Sequence, residues 1–219
     1  MKRLLQWVLG LLFLPTCFVQ SYVFYQSLRQ LNHFEGDEVY FLYGVLLYFL
    51  IHTLLFKPVY LYALAHESIH AMVSMAFGGK IASVKASGKG GETRTTKTNV
   101  MVELAPYFTP LYTLLLCGMA FVLVRIFNWV HVQDLFFLLI GFSLTFHVVM
   151  TVDFLKTKQP DLMKLGTLFS VGVIYVVNLL VIVLVLGFVF PEVSPRNYFV
   201  NALSATEIAY RKLYDQLFL

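Results

Sequence analysis

Charge is scarce in this chain: only 13% of its 219 residues are Asp, Glu, Lys or Arg. Soluble domains draw about a quarter of their residues from that set, so the composition argues against a free-standing soluble enzyme. Cysteine is nearly absent. Cys17 and Cys117 are the two present, both within apolar runs and neither at paired-ligand spacing, so they read as small packing residues rather than a disulfide or a thiolate metal site. No aqueous stretch is long enough for a second soluble domain, and there is no internal repeat or low-complexity tract. Basic residues do not interleave with stacking aromatics in any aqueous segment, which argues against a nucleic-acid partner. The net charge of +4 suits ordinary topology charges and attraction to anionic lipid headgroups.

Apolar surface is what the chain has in excess. Hydrophobic residues make up 59%, with 21 Phe and 13 Tyr, and the mean hydropathy is +0.76. About 20 apolar residues cross a hydrocarbon core of about 30 Å. Six runs approach or exceed that length, at residues 4–24, 39–56, 59–77, 100–124, 135–155 and 165–190. They predict an all-α polytopic membrane protein, a single integral membrane domain over 1–219 with about six transmembrane helices. The first run follows Met1-Lys2-Arg3 but is too long for a signal-peptide core and lacks a small-residue cleavage site, so it reads as a retained helix. Only Lys57-Pro58 separates the second run from the third, and proline there suits a helix start or a kink equally.

The connections differ in kind. Residues 29–38 form a short polar link containing Glu35-Gly36-Asp37-Glu38. Residues 80–99 hold two β-prone runs around Gly88-Lys89-Gly90-Gly91, which predicts a β-hairpin. In the tail, 191–219, the last part sets Ile208, Leu213 and Leu217 against Arg211, Lys212 and Asp215, the pattern of an interfacial amphipathic helix. The hairpin and the 156–164 loop fall on the side richer in basic residues, which places them in the cytoplasm. The Lys2-Arg3 pair argues for the opposite orientation.

Inside the third run stands His66-Glu67-Ser68-Ile69-His70. Positions four apart share a helix face, so both imidazoles can reach one Zn²⁺ while Glu67 lies beside it as general base. From this chain's own His and Glu frequencies the pattern is expected by chance only about 0.005 times. The competing reading is a polar seam that hydrogen-bonds neighbouring helices. Ionisable groups at membrane depth are costly, and a functional site is their default explanation.

The segment Ala65-His66-Glu67-Ser68-Ile69-His70-Ala71, closed by Phe77-Gly78-Gly79-Lys80 and followed by the glycine-rich hairpin, resembles the site-2-protease-type intramembrane zinc metallopeptidases. The likeness runs in outline from Val59 to Gly166. It implies a zinc cofactor, a Glu67 general base, a membrane-anchored protein or peptide substrate in the lipid bilayer, and a third metal ligand: an Asp after a proline on a later membrane helix, usually followed by glycine. This chain has Gln159-Pro160-Asp161-Leu162 instead. Catalytic zinc takes three protein ligands and leaves a fourth position to water, and the candidates for the third are Asp161, His147 and Asp153. Asp161 lies past the fifth run and reaches the metal only if 156–164 folds back. His147 lies near the depth of His70, and Asp153 nearer the surface, where Lys156 can pair with it.

The resemblance also suggests that the hairpin pairs an edge strand with an unwound substrate; an ordinary surface hairpin fits the sequence as well. Glu103 lies within a turn of the membrane surface and reads as solvated there. Pro106 and Pro110 predict a kink. His52 and Asn178 read as interhelical hydrogen-bond partners, while His33 and His131 fall in connections. Two functions follow: an intramembrane zinc metalloendopeptidase, or a non-enzymatic zinc-binding adaptor or transporter using the same His/Glu site structurally. Polar residues lining a path through several helices are few, which favours the enzyme. Substrate selection would rest on the membrane helices, the hairpin, the tail or a regulatory membrane partner. Economy of architecture suggests a prokaryotic cytoplasmic membrane.

Overall fold

A computed structural model describes residues 2–31, 38–129, 132–157 and 159–218. His33, His131 and most of the acidic link, Glu35-Gly36-Asp37, lie outside them. The chain is mostly helical, 78%, with one small antiparallel sheet, and divides into two compact units, Met1–Phe34 with Leu162–Leu219, and Glu35–Asp161.

In the first unit α1 (Lys2–Leu28) packs along α8 (Thr167–Val189), with Phe13 edge-on to Phe169 at 5.5 Å. The tail forms α9 (Pro195–Phe218), longer than the amphipathic pattern of 205–219 foretells. Its inward stripe is polar: the Tyr198 hydroxyl donates to the Gln20 side-chain oxygen at 3.0 Å, Gln20 Nε2 donates to Thr206 at 3.2 Å, and the Tyr210 hydroxyl donates to the Leu12 carbonyl at 2.5 Å. Many of its apolar side chains, including Phe199, Leu203 and Leu217, stay exposed. Within α8, Asn178 donates to the Ile174 carbonyl at 2.8 Å.

The second unit contains α2 (Val39–Leu54), α3 (Val59–Ala76), β1 (Ile81–Ser87), β2 (Gly90–Thr95), α4 (Val100–Leu104), a 3₁₀ turn (Ala105–Tyr107), α5 (Leu111–Ala120), a π-helical turn (Phe121–Ile126) and α6 (Gln133–Leu155). Its tightest pairing is α2 on α6. Gly44 and Gly141 allow it, because a Cβ on Gly44 would strike the Leu138 carbonyl and one on Gly141 the Phe41 carbonyl. Tyr48, Tyr62, Phe146 and Met150 form the apolar cluster beside that crossing. Cys17 and Cys117 are free thiols.

Three helices are long and apolar enough to cross a membrane: Leu4–Leu28, Gln133–Leu155 and Thr167–Val189. Two more pass only as bent pairs, Val39–Leu54 with Val59–Ala76 at 117° and Val100–Tyr107 with Leu111–Val124 at 71°. The described residues thus give three to five crossings where the apolar runs predict six. Proline explains the difference, since it donates no hydrogen bond and clashes with the preceding turn. Pro58 ends up just before α3 at a bend sharper than a kink. At 1.5 Å per residue, the 16-residue α2 is about 24 Å long and the 18-residue α3 about 27 Å, each shorter than the hydrocarbon core. Pro106 and Pro110 divide the fourth run in the same way.

The hairpin forms as the glycines predict, with Ser87 opposite Gly90 across the Gly88-Lys89 turn. Gly90 takes φ +128°, a conformation that side-chain-bearing residues rarely adopt. The hairpin is fastened to α3: Ser74 bonds the Thr95 hydroxyl closely and donates to the Lys97 carbonyl at 3.0 Å, and Thr93 donates to the Glu67 carbonyl at 3.0 Å.

Candidate metal centre

Helix α3 carries Tyr62, His66, His70 and Ser74 at intervals of four, all buried, so one stripe of an otherwise apolar helix is chemically rich. The two imidazoles converge, with His66 Nε2 3.2 Å from His70 Nε2. Asp161 Oδ2 lies 3.5 Å from His70 Nε2 and 4.0 Å from His66 Nε2. One ligand atom from each of the three residues falls within 4.8 Å of the others. A tetrahedral ion with bonds of 2.0–2.1 Å needs ligand atoms about 3.4 Å apart, so the observed edges are close to what such an ion requires.

The donors are also prepared chemically. His70 Nδ1 lies 2.7 Å from the Val102 carbonyl, which can only accept, so Nδ1 holds the proton and Nε2 keeps a free lone pair. Asp161 lies a few residues beyond the end of α6. Thr157 N–H and the Gln159 side chain both donate to the Phe154 carbonyl, at 3.0 and 3.3 Å, and Pro160 then opens a short helix, α7 (Pro160–Leu165), with Asp161 in its first turn. Burial opposes ionisation of that carboxyl, but hydrogen bonds with His70 and Glu103 and the nearby imidazoles hold it below the ordinary carboxylate range.

The other two candidates lie elsewhere. Asp153 sits among Lys57 at 2.5 Å, Lys156 at 2.8 Å and His52 at 3.4 Å, a clamp between the end of α6 and the α2–α3 elbow. His147 is buried and shares a small crevice with His66, Ser143 and Pro110, outside the three-donor group. Glu67 is buried next to His66, and β2 crosses its side chain so closely that a Cβ on Gly91 would collide with Glu67 Cγ.

Glu103 is a correction to the sequence reading. It is only 6% exposed, not solvated, and it hydrogen-bonds Asp161. Tyr107, four residues on, is fully buried and donates its hydroxyl to Asp161 Oδ2 at 3.2 Å. The signal was a Glu-to-Tyr spacing of four inside an apolar run, with Pro106 between them. Compared with protein-family models, with curated proteins and with solved structures, the chain gives no match in any of the three.

Proposed function

We propose that the chain is an intramembrane zinc metalloprotease of the site-2-protease type, hydrolysing peptide bonds of membrane-anchored substrates. The convergence of His66, His70 and Asp161 in a chain whose helices suit a bilayer carries this reading, and Glu67 follows His66 on the same helix. Two neutral imidazoles and one carboxylate form a donor set that catalytic zinc uses, such sites leaving the fourth position to water. When bound there, zinc supplies Lewis acidity and lowers the pKa of water toward 7.

The chain's own residues do the rest. Glu67 accepts the proton of the attacking water and passes it to the leaving amide nitrogen as the C–N bond breaks. The Val102 carbonyl holds His70 in the tautomer that presents Nε2. Substrate must unwind before its amides are accessible, and the hairpin running beside Glu67 offers a strand for the extended segment to pair with.

The test is zinc analysis of the detergent-purified full-length protein, together with cleavage of a single-span reporter helix containing a Gly/Asn-rich break. The expected result is near one zinc per chain in the wild type, lost in His66→Ala and Asp161→Ala and kept in His147→Ala. Glu67→Gln should retain zinc and lose cleavage. A folded wild type without zinc, or a Glu67→Gln protein that still cleaves, would overturn the proposal.

A further inference from the structure

Each of the three donors is touched by one short segment, Val102 to Tyr107. Its start is fixed by Asn99, whose side chain caps α4 by accepting from Val102 N–H at 2.9 Å. The Val102 carbonyl then meets His70 Nδ1 at 2.7 Å. One residue on, Glu103 hydrogen-bonds the Asp161 carboxylate. The helix tightens into the 3₁₀ turn Ala105–Tyr107, and Tyr107 meets the remaining donor. Its ring stands edge-on to the His66 ring, with centroids 4.8 Å apart and planes at 86°, while its hydroxyl donates to Asp161.

Tyr107 therefore links a donor on α3 to one that enters from beyond α6. A short loop separates Asp161 from α6, so its carboxylate depends on side-chain partners for its direction. We propose that Tyr107 is a positioning residue for the metal centre: its hydroxyl sets the direction of the Asp161 carboxylate, and its ring fixes the plane of the His66 imidazole. Glu103 supports it on the same carboxylate. Outer partners of this kind orient ligands, and losing one typically weakens metal binding 10- to 100-fold. The inference rests on the metal reading above and extends it from the donors to what holds them.

The experiment is a zinc-affinity measurement on the full-length detergent-purified protein by competition with a chromophoric chelator, accompanied by the visible absorption spectrum of the cobalt(II) form. Tyr107→Phe removes only the hydroxyl, and about a 10- to 100-fold weaker zinc affinity is expected, with an altered cobalt spectrum and unchanged thermal unfolding of the metal-free protein. Tyr107→Leu also removes the ring and should weaken binding further. Wild-type affinity and spectrum in Tyr107→Phe would overturn the inference, including the case where cleavage alone is lost, which would assign the hydroxyl to substrate. Asp161→Asn separates the two levels. If it leaves wild-type affinity intact, the donor set itself is wrong; if it abolishes binding while Tyr107→Phe does not, only the role of Tyr107 fails.

Discussion

Gly91→Ala tests how the hairpin governs Glu67, the general base of the proposed protease. Gly91 is not among the glycines with positive φ, unlike its neighbour Gly90, so alanine there acts by size alone. The added methyl would lie 2.7 Å from the Lys85 carbonyl and 2.8 Å from Glu67 Oε1, and would overlap Glu67 Cγ, where ordinary contact starts at 3.4 Å. The Lys85 carbonyl belongs to a strand paired opposite Glu92 and is the stiffer neighbour, so the Glu67 side chain yields, by about 1 Å. A displacement of that size in a catalytic group costs about 100-fold in rate, equivalent to about 2.7 kcal/mol. Zinc should be unaffected, because Gly91 contacts none of the three donors closely enough to appear among its nearest neighbours. The assay is kcat/KM for the reporter helix beside zinc content by elemental analysis. Wild-type kcat/KM in a folded, zinc-loaded Gly91→Ala protein would refute the idea that the hairpin packs on the working position of Glu67.

Other consequences follow from the packing and the charge clamp. Gly141→Leu drives a side chain into the Phe41 carbonyl; overpacking typically costs about 1–3 kcal/mol, and thermal unfolding in detergent should fall by several degrees. Ser74→Ala removes the bonds to Thr95 and Lys97, worth about 0.5–1.5 kcal/mol each, so limited proteolysis should cut the hairpin faster while the helices stay protected. Asp153→Asn loses its ion pairs with Lys57 and Lys156. Both lysines are more than half exposed, so the loss should be at most about 1 kcal/mol, and zinc content should remain that of the wild type.

The order of helices was legible because apolar runs of membrane length leave no other way to satisfy the backbone. The hairpin was legible for a related reason, since its turn needs the backbone freedom of Gly90. His66, Glu67 and His70 could be read from spacing alone, because a helix fixes which side chains share a face over one turn. The sequence did not determine how many runs cross as single helices. A proline at a helix junction looks the same in sequence whether it makes a mild kink or the 117° bend between α2 and α3. Nor did it say which of Asp161, His147 and Asp153 lies closest to the two imidazoles. That depended on the bonds from Thr157 and Gln159 to one carbonyl, Phe154, just before Asp161, and on the lysines that engage Asp153. Glu103 and Tyr107 were hidden for the same reason. A period reports a face, but which donor from a distant helix meets that face is decided by packing between segments, here 54 residues apart for Tyr107 and Asp161.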